Sequence, residues 1–188
     1  MVTRMSLIRW AYDLAEECLA QDNPRRWAHC QGAARQARKL RDVAGPDADL
    51  LEAAAILHDI GYATPLARLG FHPLDGAHYL RKAKAPARLV NLVAHHSFAA
   101  LEARLRGIQD EFVGFEDEGP TAVRDGLWLC DLTTMPDGAE TTPEERRAEI
   151  EQRYGRQSLV GRFVAEAAHE QGAAIARTKS RLRNAVSA

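Results

Sequence analysis

The sequence has little from which a disulfide framework, a thiolate metal site, a membrane span or a nucleic-acid interface could be built. Cysteine occurs at Cys18, Cys30 and Cys130 only. The number is odd, the positions are scattered and no CxxC spacing exists, which argues against both disulfides and a cysteine-held zinc. Ordinary buried or half-buried thiols are expected instead. No apolar run approaches the roughly 20 residues that a membrane-spanning helix requires. The first ten residues also lack an uninterrupted apolar stretch and a small-residue cleavage site, so the chain reads as a soluble, unprocessed, cytoplasmic protein without a membrane partner. Lysine plus arginine (25) nearly balances aspartate plus glutamate (26), leaving no global field to attract nucleic acid. Aromatic residues make up only 6%. No basic cluster interleaves with Trp10, Trp27 and Trp128, so they read as packing residues, not base-stacking platforms.

Strand patterning is scarce as well. Almost every segment carries apolar residues at three- and four-residue steps, and almost none alternates, so the fold class is all-α, a helical bundle. A chain of 188 residues suits one domain with one sizeable core, and neither linker nor repeat divides it. Helices are expected over residues 6–21, with Leu7, Ala11, Leu14 and Cys18 as the buried stripe, and over 24–40, opened by Asn23 and Pro24. A third over 47–60 is apolar on nearly every side and is expected at the centre, closed by Gly61 at its C-terminus. Further helices are expected over 72–84, 86–96, 99–106, 121–133, 143–154 (capped by Thr142) and 158–185. The stretch 107–120, broken by Gly107, Gly114 and Gly119-Pro120, reads as a surface excursion.

Four positions put polar groups where the helical period calls for apolar ones. His29 shares a stripe with Ala33, Ala37 and Leu40; His58 and Asp59 end the most apolar helix; Asp131 interrupts Leu127-Trp128-Leu129-Cys130. Each has a plain explanation alone. His29 could be a satisfied core histidine, Asp131 could accept hydrogen bonds from an arginine or a helix N-terminus, and a His-Asp dipeptide arises by chance. Together, on successive helices, they describe a set that one divalent cation would satisfy, since an unpaired buried carboxylate is costly and imidazole with carboxylate suits iron, manganese, cobalt or zinc. His58 and Asp59 project about 100° apart on a helix, so they can converge only on a ligand near its end.

The pattern Arg26-Trp27-Ala28-His29, Leu57-His58-Asp59-Ile60-Gly61 and Leu129-Cys130-Asp131-Leu132 resembles the H…HD…D signature of the HD superfamily of metal-dependent phosphohydrolases, with the motif-bearing core at about 24–135. The resemblance implies that His29, His58, Asp59 and Asp131 hold one or two divalent metals (manganese, iron, cobalt, zinc, nickel or magnesium). It implies a small phosphorylated metabolite, commonly a nucleotide, as substrate. His72 and the pair His95-His96 resemble the extra ligand positions of the two-metal branches, and helical phase favours His96 over His95. Asp59 and Arg26 are the residues expected to take part in catalysis, Arg26 by orienting a phosphate or pairing with a ligand carboxylate. No nucleophile motif is evident, so attack by metal-bound hydroxide is the expected reaction.

Two departures from the family pattern stand out. The glycine-tyrosine-proline signature of cyclic-dinucleotide phosphodiesterases is absent after His96, and Tyr62 replaces the lysine that often follows the HD-x-G unit. Two other readings stay open: a non-catalytic HD module that senses or binds, and a diiron oxygenase of HD type. His78 and His169 are expected to be exposed, and Arg177, Lys179, Arg181 and Arg183 to form a solvated basic face at a helix C-terminus.

Overall fold

The computed structural model describes residues 4–186, and among them no β-strand occurs; a single antiparallel bridge joins Thr134 to Glu140. Helix α1 (Arg4–Leu19) buries Ala11, Ala15 and Leu19, and the expected stripe is turned accordingly, with Leu7, Leu14 and Cys18 half-buried at its edge. Small alanines at four-residue steps let α1 lie close against its neighbours. Helix α2 (Pro24–Lys39) begins where proline needs no amide partner, and the Asn23 side chain accepts a hydrogen bond from the Arg26 amide at 3.3 Å. A short turn of helix, α3 (Arg41–Ala44), leads through Gly45 into α4 (Ala48–Leu57).

Helix α4 is the centre of the bundle. Leu51, Ala53, Ala54, Ala55, Ile56 and Leu57 are all fully buried, and α1, α2 and α8 (Ala122–Leu132) pack around them. It stops three residues before the expected end. Gly61 is not a left-handed C-terminal cap; it lies in a 3-10 turn, Ile60–Tyr62, pressed onto α5 (His72–Lys82). A Cβ at Gly61 would sit 2.0 Å from the His72 carbonyl oxygen and 2.6 Å from the Gly76 amide, so close approach, not backbone conformation, demands glycine there. That contact carries the first residue of α5 to the end of α4.

Helices α6 (Ala87–Ala94) and α7 (Ala99–Arg106) follow, then the excursion, in which Gly107, Gly114 and Gly119 all take positive φ. Helix α9 (Pro143–Tyr154) starts with a reciprocal capping box between Thr142 and Glu145. Helix α10 (Leu159–Val186) packs along α8.

Two surface expectations are corrected. Arg177 and Arg181 do not form a solvated face: both turn inward onto Asp125 of α8, which is fully buried, Arg177 with bonds of 2.8 and 2.9 Å and Arg181 with one of 2.8 Å. His78 is half-buried, edge-on to the Phe115 ring at 5.1 Å, while His169 is exposed. Cys30 and Cys130 are buried and Cys18 half-buried, all unpaired. No helix among the described residues is long and apolar enough to cross a membrane.

Candidate metal centre

The end of α4 meets the starts or ends of α2, α5, α6 and α8, and each brings one or two ligand-type side chains. His58 keeps helical backbone angles, but Asp59 departs from them (φ −103°, ψ 13°), which lets two adjacent residues face the same centre. Two groups result, His29 with His58 and Asp131, and Asp59 with His72 and His96; within each, the ligand atoms lie within 4.8 Å of one another. In the first, His29 Nε2 is 3.2 Å from His58 Nε2 and 3.1 Å from Asp131 Oδ1. In the second, His72 Nε2 is 3.2 Å from His96 Nε2 and 3.1 Å from Asp59 Oδ1.

Asp59 joins the two. Its Oδ1 faces His72 and His96, while its Oδ2 lies 3.4 Å from His58 Nε2 and 3.7 Å from His29 Nε2. Arg26, from the first turn of α2, donates from Nη1 to Oδ2 and holds the carboxylate in place. Tyr62 stacks on the His72 ring at 4.1 Å, and the Arg26 guanidinium lies 4.0 Å from the Tyr62 ring centroid. One ring face is taken by imidazole, so the guanidinium must cover the other. A lysine at position 62 could not be clamped in this way.

The donor chemistry fits a divalent metal. His29 Nδ1 donates to the Met135 carbonyl (3.1 Å), His58 Nδ1 to Ala55 (2.8 Å) and His96 Nδ1 to Val93 (2.6 Å). A carbonyl can only accept, so in each neutral ring Nε2 carries the lone pair, and those lone pairs face one another and the carboxylates. Positive charge at their focus, as protons on Nε2 or as a metal ion, reconciles them. Burial would lower the His58 pKa, yet Asp59 and Asp131 raise it to about 9, a measure of how strongly the cluster draws positive charge. Burial likewise opposes ionisation of Asp59, but Arg26, His58 and His72 hold it well below the usual carboxylate range. Asp131 is lowered too, against its burial, by the His29 hydrogen bond and the charge of His58.

The backbone after α6 serves the same centre. Ser97 and Phe98 are consecutive non-glycine residues with left-handed φ (49° and 68°), a conformation that costs of order 1 kcal/mol or more per residue and tends to persist where a site requires it. It lets the Ser97 hydroxyl donate to Asp131 Oδ2, while Gln171 of α10 donates to the Ser97 carbonyl at 3.0 Å. His95 is corrected by the same turn. Helix α6 ends at Ala94, and His95 swings away to donate from Nε2 to the Phe115 carbonyl at 3.1 Å, outside both ligand groups.

Ser97 and Gln171 were not singled out in the sequence, because neither breaks a periodic pattern. Nor does the sequence pattern assign any residue beyond Met135 to the site. A cavity of about 400 Å³ opens over the centre, and its far wall is α9 together with the start of α10, including Arg146, Arg153, Tyr154 and Phe163.

The fold and centre together define an all-helical bundle with a His/Asp site suited to a divalent metal. Residues 26–167 match the model of the HD domain, so the chain belongs to the HD-domain family, whose members are generally metal-dependent phosphohydrolases. No curated protein and no solved structure matches it.

Proposed function

We propose that the protein is a two-metal phosphohydrolase of the cytoplasm that acts on a small phosphate ester or anhydride, with a nucleotide as the leading substrate class. The observation that carries this reading is Asp59, one of whose oxygens faces His72 and His96 while the other faces His58 and His29. His29, His58 and Asp131 would hold one ion and His72 and His96 the other, with Asp59 shared. When bound, two such ions polarise the phosphoryl group and lower the pKa of water. The protein's own part is orientation and exclusion. Carbonyl-anchored imidazoles present Nε2 in one tautomer, Arg26 fixes Asp59, and Ser97 fixes Asp131. The cavity opens onto the centre beside Arg26, Asp59, His72, His96 and Asp131, which all line it.

Water is the nucleophile in this reading. The hydroxyl of Ser97 already donates to Asp131, and burial raises the pKa of the Cys30 and Cys130 thiols. Single-turnover hydrolysis in oxygen-18 water, with metal content measured on the same sample, tests it. Label should enter the released phosphoryl product in the first turnover; unlabelled product, or a trapped phosphorylated residue, would overturn direct attack by water. Failure of every phosphate ester in a broad panel, with two metals confirmed, would favour the sensor reading, and an oxygen-dependent absorbance change of the iron form the oxygenase reading.

A further inference from the structure

Four arginines line the cavity above the metal centre, and they differ in how completely the protein uses them. Arg26 is committed to Asp59. Arg106 points both Nε and Nη2 at Glu102, itself part of the cavity wall. Arg146 and Arg153, by contrast, share one carboxylate, that of Glu149, each through a single nitrogen. Two cations on one anion leave a surplus positive charge on this wall. Arg146 is also 7% exposed, and its one polar partner is the Nη1 bond to Glu149, so the rest of its fork of N–H donors is uncommitted.

The helix explains the placement. Arg146, Ile150, Arg153 and Tyr154 fall at i, i+4, i+7 and i+8 of α9, and all four line the cavity. Arg146 also borders a smaller cleft of about 80 Å³ that ends on Ser97 and Asp131. The free donors of Arg146 are not sealed from solvent, since among the described residues only Arg124 Nε is both buried and without a hydrogen-bond partner; they open into the cavity, where an anion can accept from them. Guanidinium pairs match the oxygens of a phosphate in charge and geometry.

We propose that Arg146 and Arg153 form a second anion subsite that binds a second phosphate of the substrate, separate from the one at the metals. The substrate is therefore a bisphosphate or polyphosphate, not a simple monoester. This rests on the phosphohydrolase reading of the centre. Manganese-loaded protein titrated calorimetrically with hexanediol bisphosphate and with hexyl monophosphate provides the test, with bound manganese measured alongside. The bisphosphate should bind about 10-fold tighter, as one or two additional charge-assisted hydrogen bonds would give. In R146Q/R153Q that preference should fall to about 1 with manganese content unchanged, and R146K/R153K should recover part of it.

Because Arg146 is buried, Arg153→Gln alone, with helicity checked by circular dichroism, provides a milder version and should lower the preference about 3-fold. Equal binding of the two probes by the wild type, a preference that survives the double variant, or an equal loss of both probes would overturn the subsite while leaving the metal centre intact. Binding of neither probe to the metal-loaded protein would overturn the phosphohydrolase reading and the subsite with it.

Discussion

Asp125 and Asp59 are both buried carboxylates on the central helices, and the protein treats them in opposite ways. Asp125 is saturated by the chain. Arg177 donates twice, Arg181 once at 2.8 Å and Arg124 once at 3.3 Å, which fills the roughly four acceptor positions of a carboxylate. Asp59 receives a single guanidinium, and its other neighbours are imidazoles whose Nδ1 protons, in His58 and His96, are already given to carbonyls. The first arrangement is complete and ties α10 to α8. The second relies on one arginine and on imidazoles that can carry either a proton or a metal ion at Nε2, so with Asp131 close by it is suited to a divalent cation in a way that Asp125 is not. Burial of an acid is thus no sign of a site by itself; what matters is whether the chain supplies its counter-charge.

The sharpest way to break this comparison is Asp59→Ala. It should remove measurable metal and all hydrolysis, and wild-type stabilisation by added metal, read as a rise in Tm reversed by chelator, should vanish in the variant. Full occupancy in Asp59→Ala would mean that Asp59 is as self-contained as Asp125. The counterpart, Asp125→Ala, leaves Arg177 and Arg181 without their buried partner and should cost about 3–5 kcal/mol in urea unfolding. That loss should be the same with and without chelator; a loss below about 1 kcal/mol would place the cluster among weak surface pairs.

His96→Ala addresses the division within the centre. Metal stoichiometry, measured with metal in excess, should fall from two towards one while the His29, His58 and Asp131 group keeps its ion. A native stoichiometry of one would make His72 and His96 structural. The smallest effect is expected for Ser97→Ala, which removes one hydrogen bond to Asp131 and should lower stability by about 1 kcal/mol. Metal affinity should weaken by roughly 10-fold, in the range usual for residues that orient ligands. An unchanged affinity would show that the left-handed turn at Ser97 and Phe98 does not serve the metal.

Much of the fold was legible in the residues. The capped starts at Asn23-Pro24 and Thr142-Pro143 and the helix over Ala99–Arg106 all appear where the pattern put them. These signals are local, because caps and helical period act over three to eight residues. Boundaries near the centre were less legible. Helix α4 ends at Leu57 and α6 at Ala94, each short of the periodic pattern, because the chain there bends to face the ligands.

The sequence by itself determined that the protein is helical, that α4 is apolar on nearly every side, and that polar residues at 29, 58, 59 and 131 interrupt otherwise apolar surfaces. Tertiary structure alone decided which of those groups meet. It sorted the ligand-type residues into two sets around Asp59, sent His95 to the Phe115 carbonyl and His96 to the centre, and turned Arg177 and Arg181 onto Asp125. It also brought Arg146 and Arg153 of α9 over a centre whose motif ends before that helix begins. The physical reason is reach: helical period dictates which face a side chain occupies, but the partner it finds there is set by the packing of elements dozens of residues apart.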